Sequence, residues 1–244
     1  MARLLLTLRY EGTRYHGWQV QPNGITVQET LQDAVEKVTG CRSGITGCSR
    51  TDAGVHADMF CCAMDTPSLL RGERMAAALN ANLPRDIAVY GCREVAGDFH
   101  PRYMALGKRY VYRIWNGQTR NPFWEGRALQ YRYPLDTALL NTQAAAYIGT
   151  HDFSAFCAAG STVEDHIRTV KRAELARENE LVTFVVEADG FLYNMVRIMV
   201  GTLLDIQSGK LAAGSISSIL QSGCRAKAGT TAPACGLYLD HVFY

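Results

Sequence analysis

The chain has 244 residues, of which 48% are hydrophobic and 20% are charged, and its formal net charge at pH 7 is +2. These are ordinary values for a soluble globular protein, so the overall charge alone does not indicate nucleic-acid binding. No apolar run approaches the roughly 20 residues needed to cross a bilayer, which excludes a membrane-spanning helix.

The eight cysteines form no C-x-x-C pair, and none has a histidine at metal-ligand spacing. This pattern predicts reduced, mostly buried thiols and no zinc site. The chain starts with Met1-Ala2-Arg3 and enters a strand-like run at once, without the pattern of a signal peptide. We therefore expect a cytoplasmic protein.

The first half of the chain alternates strand and helix patterns in the order β-α-β-β-α-β, which is typical of a ferredoxin-like unit. The first helix is predicted to start at Thr26, since Thr26 and Glu29 form a capping box, and to stop at Gly40. The other predicted elements are strand 4–10, two strands flanking residue 52, helix 69–79 and strand 87–92.

The second half predicts a similar sequence of elements, ending in a strand over 236–244. Before it come strands 106–115 and 128–133, a helix from Asp136 to Gly149, a loop over 151–165, a hairpin over 168–188, helix 192–204 and a short helix over 215–221. We predict an α+β fold of two ferredoxin-like subdomains that share a central, mainly antiparallel sheet, with helices outside. The predicted domains are 1–103 and 104–244, with the boundary within 103–140.

The most informative motif is Gly47-Cys48-Ser49-Arg50-Thr51-Asp52-Ala53-Gly54-Val55-His56-Ala57. It places a single carboxylate, Asp52, on a predicted loop between two strands, with Arg50 before it and Gly54 after it. A nearby cation keeps a carboxylate ionised, and glycine permits a sharp turn. The alternative is an Asx-turn in which Asp52 only bonds its own loop.

A second feature is the segment 99–124, which has five basic residues, seven aromatic residues and no acidic residue. Basic side chains interleaved with rings suit an RNA surface, where cations meet phosphates and rings stack on bases. An amphipathic strand with a solvated charged face explains the same composition equally well.

The Asp52 motif resembles the signature of the tRNA pseudouridine synthase A family. Other segments occur in the order found in that family, so that the resemblance runs nearly end to end. They are Tyr10 to Gln19, Thr26-Val27-Gln28, Asn80 to Pro84, Phe99 to Arg102, Lys108 to Tyr112, Phe191 to Arg197 and Gly236 to Leu239.

The resemblance implies an isomerase that converts uridine to pseudouridine at positions 38, 39 and 40 of the tRNA anticodon stem-loop. It implies a homodimer that needs no cofactor and no metal. By the same resemblance Asp52 is the catalytic residue and Tyr110 stacks on the target uracil. Arg197 would form an ion pair with Asp52, and Leu237 would pack against the uracil. Arg50 would replace the flipped base or contact phosphate.

Each assignment has a structural alternative. Tyr110 and Leu237 would be core side chains of strands, Arg197 a solvated arginine, and Arg50 a brace for its loop. Three other functions remain open for the whole chain: a non-catalytic RNA-binding module, an N-glycosidase acting through Asp52, and a pseudouridine synthase with another RNA target.

Overall fold

The computed structural model describes residues 1–244, which form two compact units. The first unit contains Met1–Leu106 and Tyr238–Tyr244, and the second contains Gly107–Leu237. The predicted division placed the final strand with the second subdomain, whereas by its contacts nearly all of that strand lies with the first unit.

The first unit has the predicted β-α-β-β-α-β order. Its elements are β1 (Ala2–Tyr10), α1 (Val27–Thr39), β2 (Ile45–Gly47), β3 (His56–Thr66), α2 (Gly72–Asn80) and β4 (Ile87–Val95). Strand β1 pairs antiparallel with both β3 and β4, and β2 pairs antiparallel with β3. The resulting order β4-β1-β3-β2 is that of an antiparallel ferredoxin-like sheet.

Helix α1 begins and ends where the sequence predicts. The Thr26 hydroxyl accepts a hydrogen bond from the Glu29 amide, and Gly40 ends the helix in the left-handed conformation at φ 73°. The side chains that α1 buries, Val27, Leu31, Ala34 and Val35, share one face. This face buries apolar surface that would otherwise be exposed to water.

The second unit is built around an antiparallel sheet with the order β5-β9-β8-β7. Its elements are β5 (Gly107–Trp115), β6 (Leu129–Gln130), α3 (Thr137–Ala144), β7 (Gly149–Asp152), β8 (Ile167–Glu178), β9 (Leu181–Ala188), α4 (Met195–Gln207) and α5 (Ser215–Ser222), and β10 (Leu237–Phe243) closes the chain. The predicted fold class, α+β with mainly antiparallel strands and helices packed around them, is confirmed. No helix combines the length and the apolar character that a membrane span requires.

Four predicted elements of the second unit differ from the structure. The helix predicted from Asp136 to Gly149 is an α-helix only as far as Ala144 and continues as a 3-10 turn over Ala145–Tyr147. The strand predicted over 128–133 is only two residues long, because the Asn116 side-chain amide donates to the carbonyls of Tyr131 (2.6 Å) and Tyr133 (2.8 Å). Helix α4 starts at Met195 rather than residue 192, because Asn194 has φ 59°. The predicted loop over 151–165 begins inside β7, whose Gly-Thr-His-Asp sequence has no strand pattern.

The Asn80 side chain joins the end of α2 to strand β4. Its Nδ2 donates to the Val89 carbonyl (2.7 Å), and its Oδ1 accepts from the Val89 amide (2.8 Å). Replacing Asn80 by Ala leaves both groups of Val89 without these partners, so Asn80→Ala should lower the free energy of unfolding by about 1–3 kcal/mol. Urea denaturation measures this, with Asn82→Ala as a control, since Asn82 makes one exposed bond. Equal stability of the two variants would contradict the assignment.

Candidate active site

Strand β3 changes partner at the point where the Asp52 loop enters it. One edge of β3 pairs with β1 along most of its length, from Thr66 to Ala57. The other edge pairs with β2 at residues 62–64 and, in parallel, with β10 at residues 56 and 57. The loop over 48–55 therefore leaves the sheet between two partners of the same edge. Asp52 is half-buried there, and Arg50 on the same loop is exposed.

A second loop of the first unit, over residues 11–18, holds the Asp52 loop by backbone hydrogen bonds. The Trp18 amide donates to the Thr51 carbonyl (3.0 Å), and the Gly54 amide donates to the Tyr15 carbonyl (3.2 Å). Beside them the hydroxyls of Tyr10 and Thr51 form a buried hydrogen bond of 2.7 Å. The residues on both sides of Asp52 thus have fixed neighbours.

Glycines allow the two loops to approach this closely. Gly54 has φ 77°, a conformation that residues with a Cβ rarely adopt, and it turns the chain directly after Asp52. At Gly12 a Cβ atom would overlap the Val55 carbonyl oxygen. The prediction that Gly54 turns the backbone at this loop is therefore confirmed, and Gly12 adds a contact that its position in the sequence did not reveal.

His56 supports the same loop from the first residue of β3. It is 1% exposed, its Nδ1 accepts a hydrogen bond from the Gly12 amide (2.9 Å), and its ring stacks on Tyr238 at 4.5 Å. His56 is part of the motif over 47–57, but no role was predicted for it from the sequence. Its position four residues after Asp52 was the available signal.

Asp86 anchors the outer side of the 11–18 loop. Its carboxylate accepts from the Tyr15 hydroxyl (2.8 Å) and from Arg14, while its backbone carbonyl accepts from the Glu11 amide (2.9 Å). Burial raises the pKa of the Tyr15 phenol and the Asp86 carboxylate raises it further, so Tyr15 stays protonated and donates. No sequence signal pointed to Asp86, because it is 71 residues from its partner.

In the second unit, Tyr110 lies on β5 opposite Val186 of β9. It is 6% exposed, and its ring meets Phe191 edge-on at a centroid distance of 4.9 Å and an interplanar angle of 78°. Such a pair favours one ring orientation. Tyr110 is therefore held in place by an aromatic neighbour that lies just before α4.

Arg197, in the first turn of α4, is half-buried and already oriented within its unit. Its Nε donates to the Ala232 carbonyl (2.7 Å) and its Nη1 donates to Asn194 Oδ1 (2.7 Å). The Ala232 amide in turn donates to the Arg197 carbonyl (3.0 Å). These bonds fix the guanidinium plane, and the predicted ion pair with Asp52 stays a prediction.

Leu237, the first residue of β10, is buried. Just before it, the Pro233 carbonyl accepts a hydrogen bond of 2.7 Å from the Tyr112 hydroxyl, and Gly236 lies against the Tyr112 ring. The structure thus places Arg50 and Asp52 on one loop of the first unit, and Tyr110, Arg197 and Leu237 on three elements of the second. No group of three or more His, Cys, Asp or Glu side chains is arranged to hold a metal ion.

The sequence profile of a family described as tRNA pseudouridine synthase matches residues 7–104 and 143–244. The chain belongs to this family. Family relatives are described as tRNA pseudouridine synthase A: that of Acetivibrio thermocellus is 45% identical over 244 residues, covering all of both chains. That of Exiguobacterium sibiricum is 43% identical over 244 residues, covering all of this chain and 97% of the relative.

These findings confirm the resemblance predicted from the sequence, and with it an isomerase of the family that converts uridine to pseudouridine in tRNA. Among solved structures, one titled "Crystal Structure of a Cbf5-Nop10-Gar1 Complex" aligns over 96% of this chain and 57% of that chain, with 12% identity and a TM-score of 0.37.

Gly12→Ala tests the contact between the two loops of the first unit. The added methyl group meets the Val55 carbonyl, which is backbone and cannot rotate away. We expect a loss of about 1–3 kcal/mol in the free energy of unfolding. Displacement of the Asp52 loop should also lower the rate of pseudouridine formation at saturating tRNA by about 10- to 100-fold.

Gly44→Ala is the matched control, because a Cβ at Gly44 meets no atom within 4 Å. Both variants are compared by urea denaturation and by a single-turnover assay. If Gly12→Ala retained the rate and the stability of Gly44→Ala, the loop contact would not position Asp52.

Proposed function

We propose that this chain isomerises uridine to pseudouridine in tRNA through Asp52, with Tyr110, Leu237, Arg197 and Arg50 arranged around the base. The observation that carries the proposal is the fixed Asp52 loop. A half-buried carboxylate, braced on both sides by backbone hydrogen bonds, is pre-organised for attack or charge stabilisation rather than for solubility.

The reaction needs only one carboxylate. The bond between N1 and C1′ breaks, the uracil turns, and its C5 bonds to C1′, while C5 loses a proton and N1 gains one. The leaving group recombines, so no water enters, unlike in glycosidases, which use two carboxylates. Asp52 would attack C1′, stabilise positive charge on it, or move a proton.

The other side chains would hold the base during its turn. Tyr110 would stack on the uracil and is a candidate for removing the C5 proton; its edge contact with Phe191 supports a fixed ring. Leu237 would pack against the uracil. Arg197, held by Ala232 and Asn194, would keep Asp52 ionised.

We further propose the anticodon stem-loop of tRNA as substrate, with uridines 38, 39 and 40 as targets, and a cytoplasmic homodimer as the active form. A paired uridine must leave its stack, which costs a few kcal/mol and is partly offset by stacking on Tyr110. Arg50, which is exposed beside Asp52, would occupy the vacated place or contact phosphate.

Asp52→Ala and Asp52→Asn test the proposal directly. Purified protein is incubated with tRNA transcripts carrying uridine at 38, 39 and 40, without added cofactor, and the digested nucleosides are separated. Wild type should form pseudouridine at these positions, and both variants should lose about 1,000-fold or more in rate. Their affinity for tRNA should be retained.

Asp65→Asn is the control, because Asp65 is an exposed carboxylate on β3, the strand that follows the Asp52 loop, and is paired with Arg3. Free uracil from wild type would indicate a glycosidase. Bound tRNA without any product would indicate a binding module, and pseudouridine at other positions would indicate another target.

Arg197→Lys tests whether the fixed guanidinium acts on the reaction. Lysine keeps the charge but cannot donate to Ala232 and Asn194 in the same planar geometry. We expect the single-turnover rate to fall about 10- to 100-fold with little change in tRNA affinity.

Arg225→Lys serves as the comparison, since Arg225 also donates to backbone carbonyls of the second unit. Equal single-turnover rates for the two lysine variants would show that Arg197 has no role in the reaction.

A further inference from the structure

The turn over residues 99–104 presents an aromatic ring to solvent in a fixed orientation. Tyr103 is 77% exposed, among the most exposed large side chains of the protein. Its ring stacks on His100, with centroids 4.2 Å apart and planes 29° apart. His100 therefore stacks on the Tyr103 ring, and most of the Tyr103 side chain stays accessible to solvent.

His100 is locked by the backbone of its own turn. Its Nδ1 accepts hydrogen bonds from the amides of Arg102 and Tyr103, each at 3.2 Å, and its carbonyl accepts from the Met104 amide at 3.0 Å. These hydrogen bonds fix the His100 ring, so the Tyr103–His100 stack is already formed before a partner binds.

The turn is also tied to the sheet of the first unit. The Phe99 carbonyl accepts from Arg3 Nε (2.8 Å), and the Pro101 carbonyl accepts from the Tyr244 hydroxyl (2.8 Å). Phe99 and Tyr244 also contact each other, with ring centroids 5.3 Å apart. The turn that carries the Tyr103–His100 stack is therefore attached to the sheet of the first unit at several points.

The charge beside the stack is positive. Arg102 is exposed, and its guanidinium carbon lies 5.8 Å from the centre of the Tyr103 ring. The turn itself contains no carboxylate. A flat aromatic face next to a cation matches a nucleobase and its phosphate.

We propose that Tyr103, backed by His100 and flanked by Arg102, is a stacking platform for an unpaired base of the RNA substrate. The inference rests on the proposed function for the identity of that RNA as tRNA. It assigns binding to the turn and leaves the chemistry to Asp52.

The test compares Tyr103→Ala and Tyr103→Phe in tRNA binding and in single-turnover pseudouridine formation. Loss of one stacked base should raise the Kd of Tyr103→Ala by about 5- to 100-fold. Tyr103→Phe keeps the ring and should stay within about twofold of wild type, because stacking does not use the hydroxyl. At saturating tRNA both variants should react at the wild-type rate.

Tyr133→Ala is the matched control, because Tyr133 is 59% exposed and has the Arg132 guanidinium carbon 5.6 Å from its ring centre. It should bind tRNA like wild type. If Tyr133→Ala and Tyr103→Ala weakened binding equally, the platform would be overturned in favour of a general surface effect.

Transcripts with single abasic sites at the unpaired positions identify the stacked base. One abasic site should weaken tRNA binding by the wild type and leave tRNA binding by Tyr103→Ala unchanged. If no abasic site had this effect, the platform would be overturned. A changed oligomer mass of Tyr103→Ala in light scattering, with tRNA affinity unaltered, would also overturn it by assigning the ring to a protein interface.

Failure of the platform and failure of the proposed function are distinguishable. Wild type that binds tRNA with the expected Tyr103 dependence but forms no pseudouridine would retain the platform and refute the function. Pseudouridine formation with unchanged affinity in Tyr103→Ala would refute the platform alone.

Discussion

The pairing of two loops in the first unit is the constraint on which the candidate chemistry depends. Amides of Trp18 and Gly54 bond carbonyls of Thr51 and Tyr15, so the segment that carries Asp52 is fastened on both sides of the carboxylate. Without these bonds Asp52 would be a loop carboxylate free to sample many positions, and a displacement of about 1 Å can cost two orders of magnitude in rate. Gly12 and Gly54 allow the two loops to approach each other, and Asp86 anchors the 11–18 loop.

The second unit applies the same principle with different elements. Arg197 is fixed by bonds to Ala232 and Asn194, and Tyr110 is fixed by the edge of Phe191. The candidate side chains thus have ordered neighbours in each unit: Asp52 lies on a loop bonded on both sides, Tyr110 lies within β5, and Arg197 lies in the first turn of α4. A reaction in which the base leaves and rejoins the same sugar benefits from such rigid surroundings, since the freed uracil must turn without escaping.

Local signals predicted much of this structure. The capping box at Thr26, the turn at Gly54 and the strand over 106–115 are set by neighbours within a few residues, so they were visible in the sequence. The short β6 and the role of Asp86 were not, because Asn116 and Tyr15 contact them from distant positions. The site residues themselves were chosen through the family resemblance, since an aspartate on a loop has no chemical signature of its own.

The bonds between the two loops hold the Asp52 loop in place before tRNA binds. Hydrogen–deuterium exchange of the Trp18 and Gly54 amides in the free protein measures this directly. We expect exchange at least about 100-fold slower than for the amides of the exposed residues Gln21 and Asn23, approaching that of the paired residues of β3. Exchange as fast as for Gln21 and Asn23 would contradict this expectation and would mean that the loop becomes ordered only when the substrate binds.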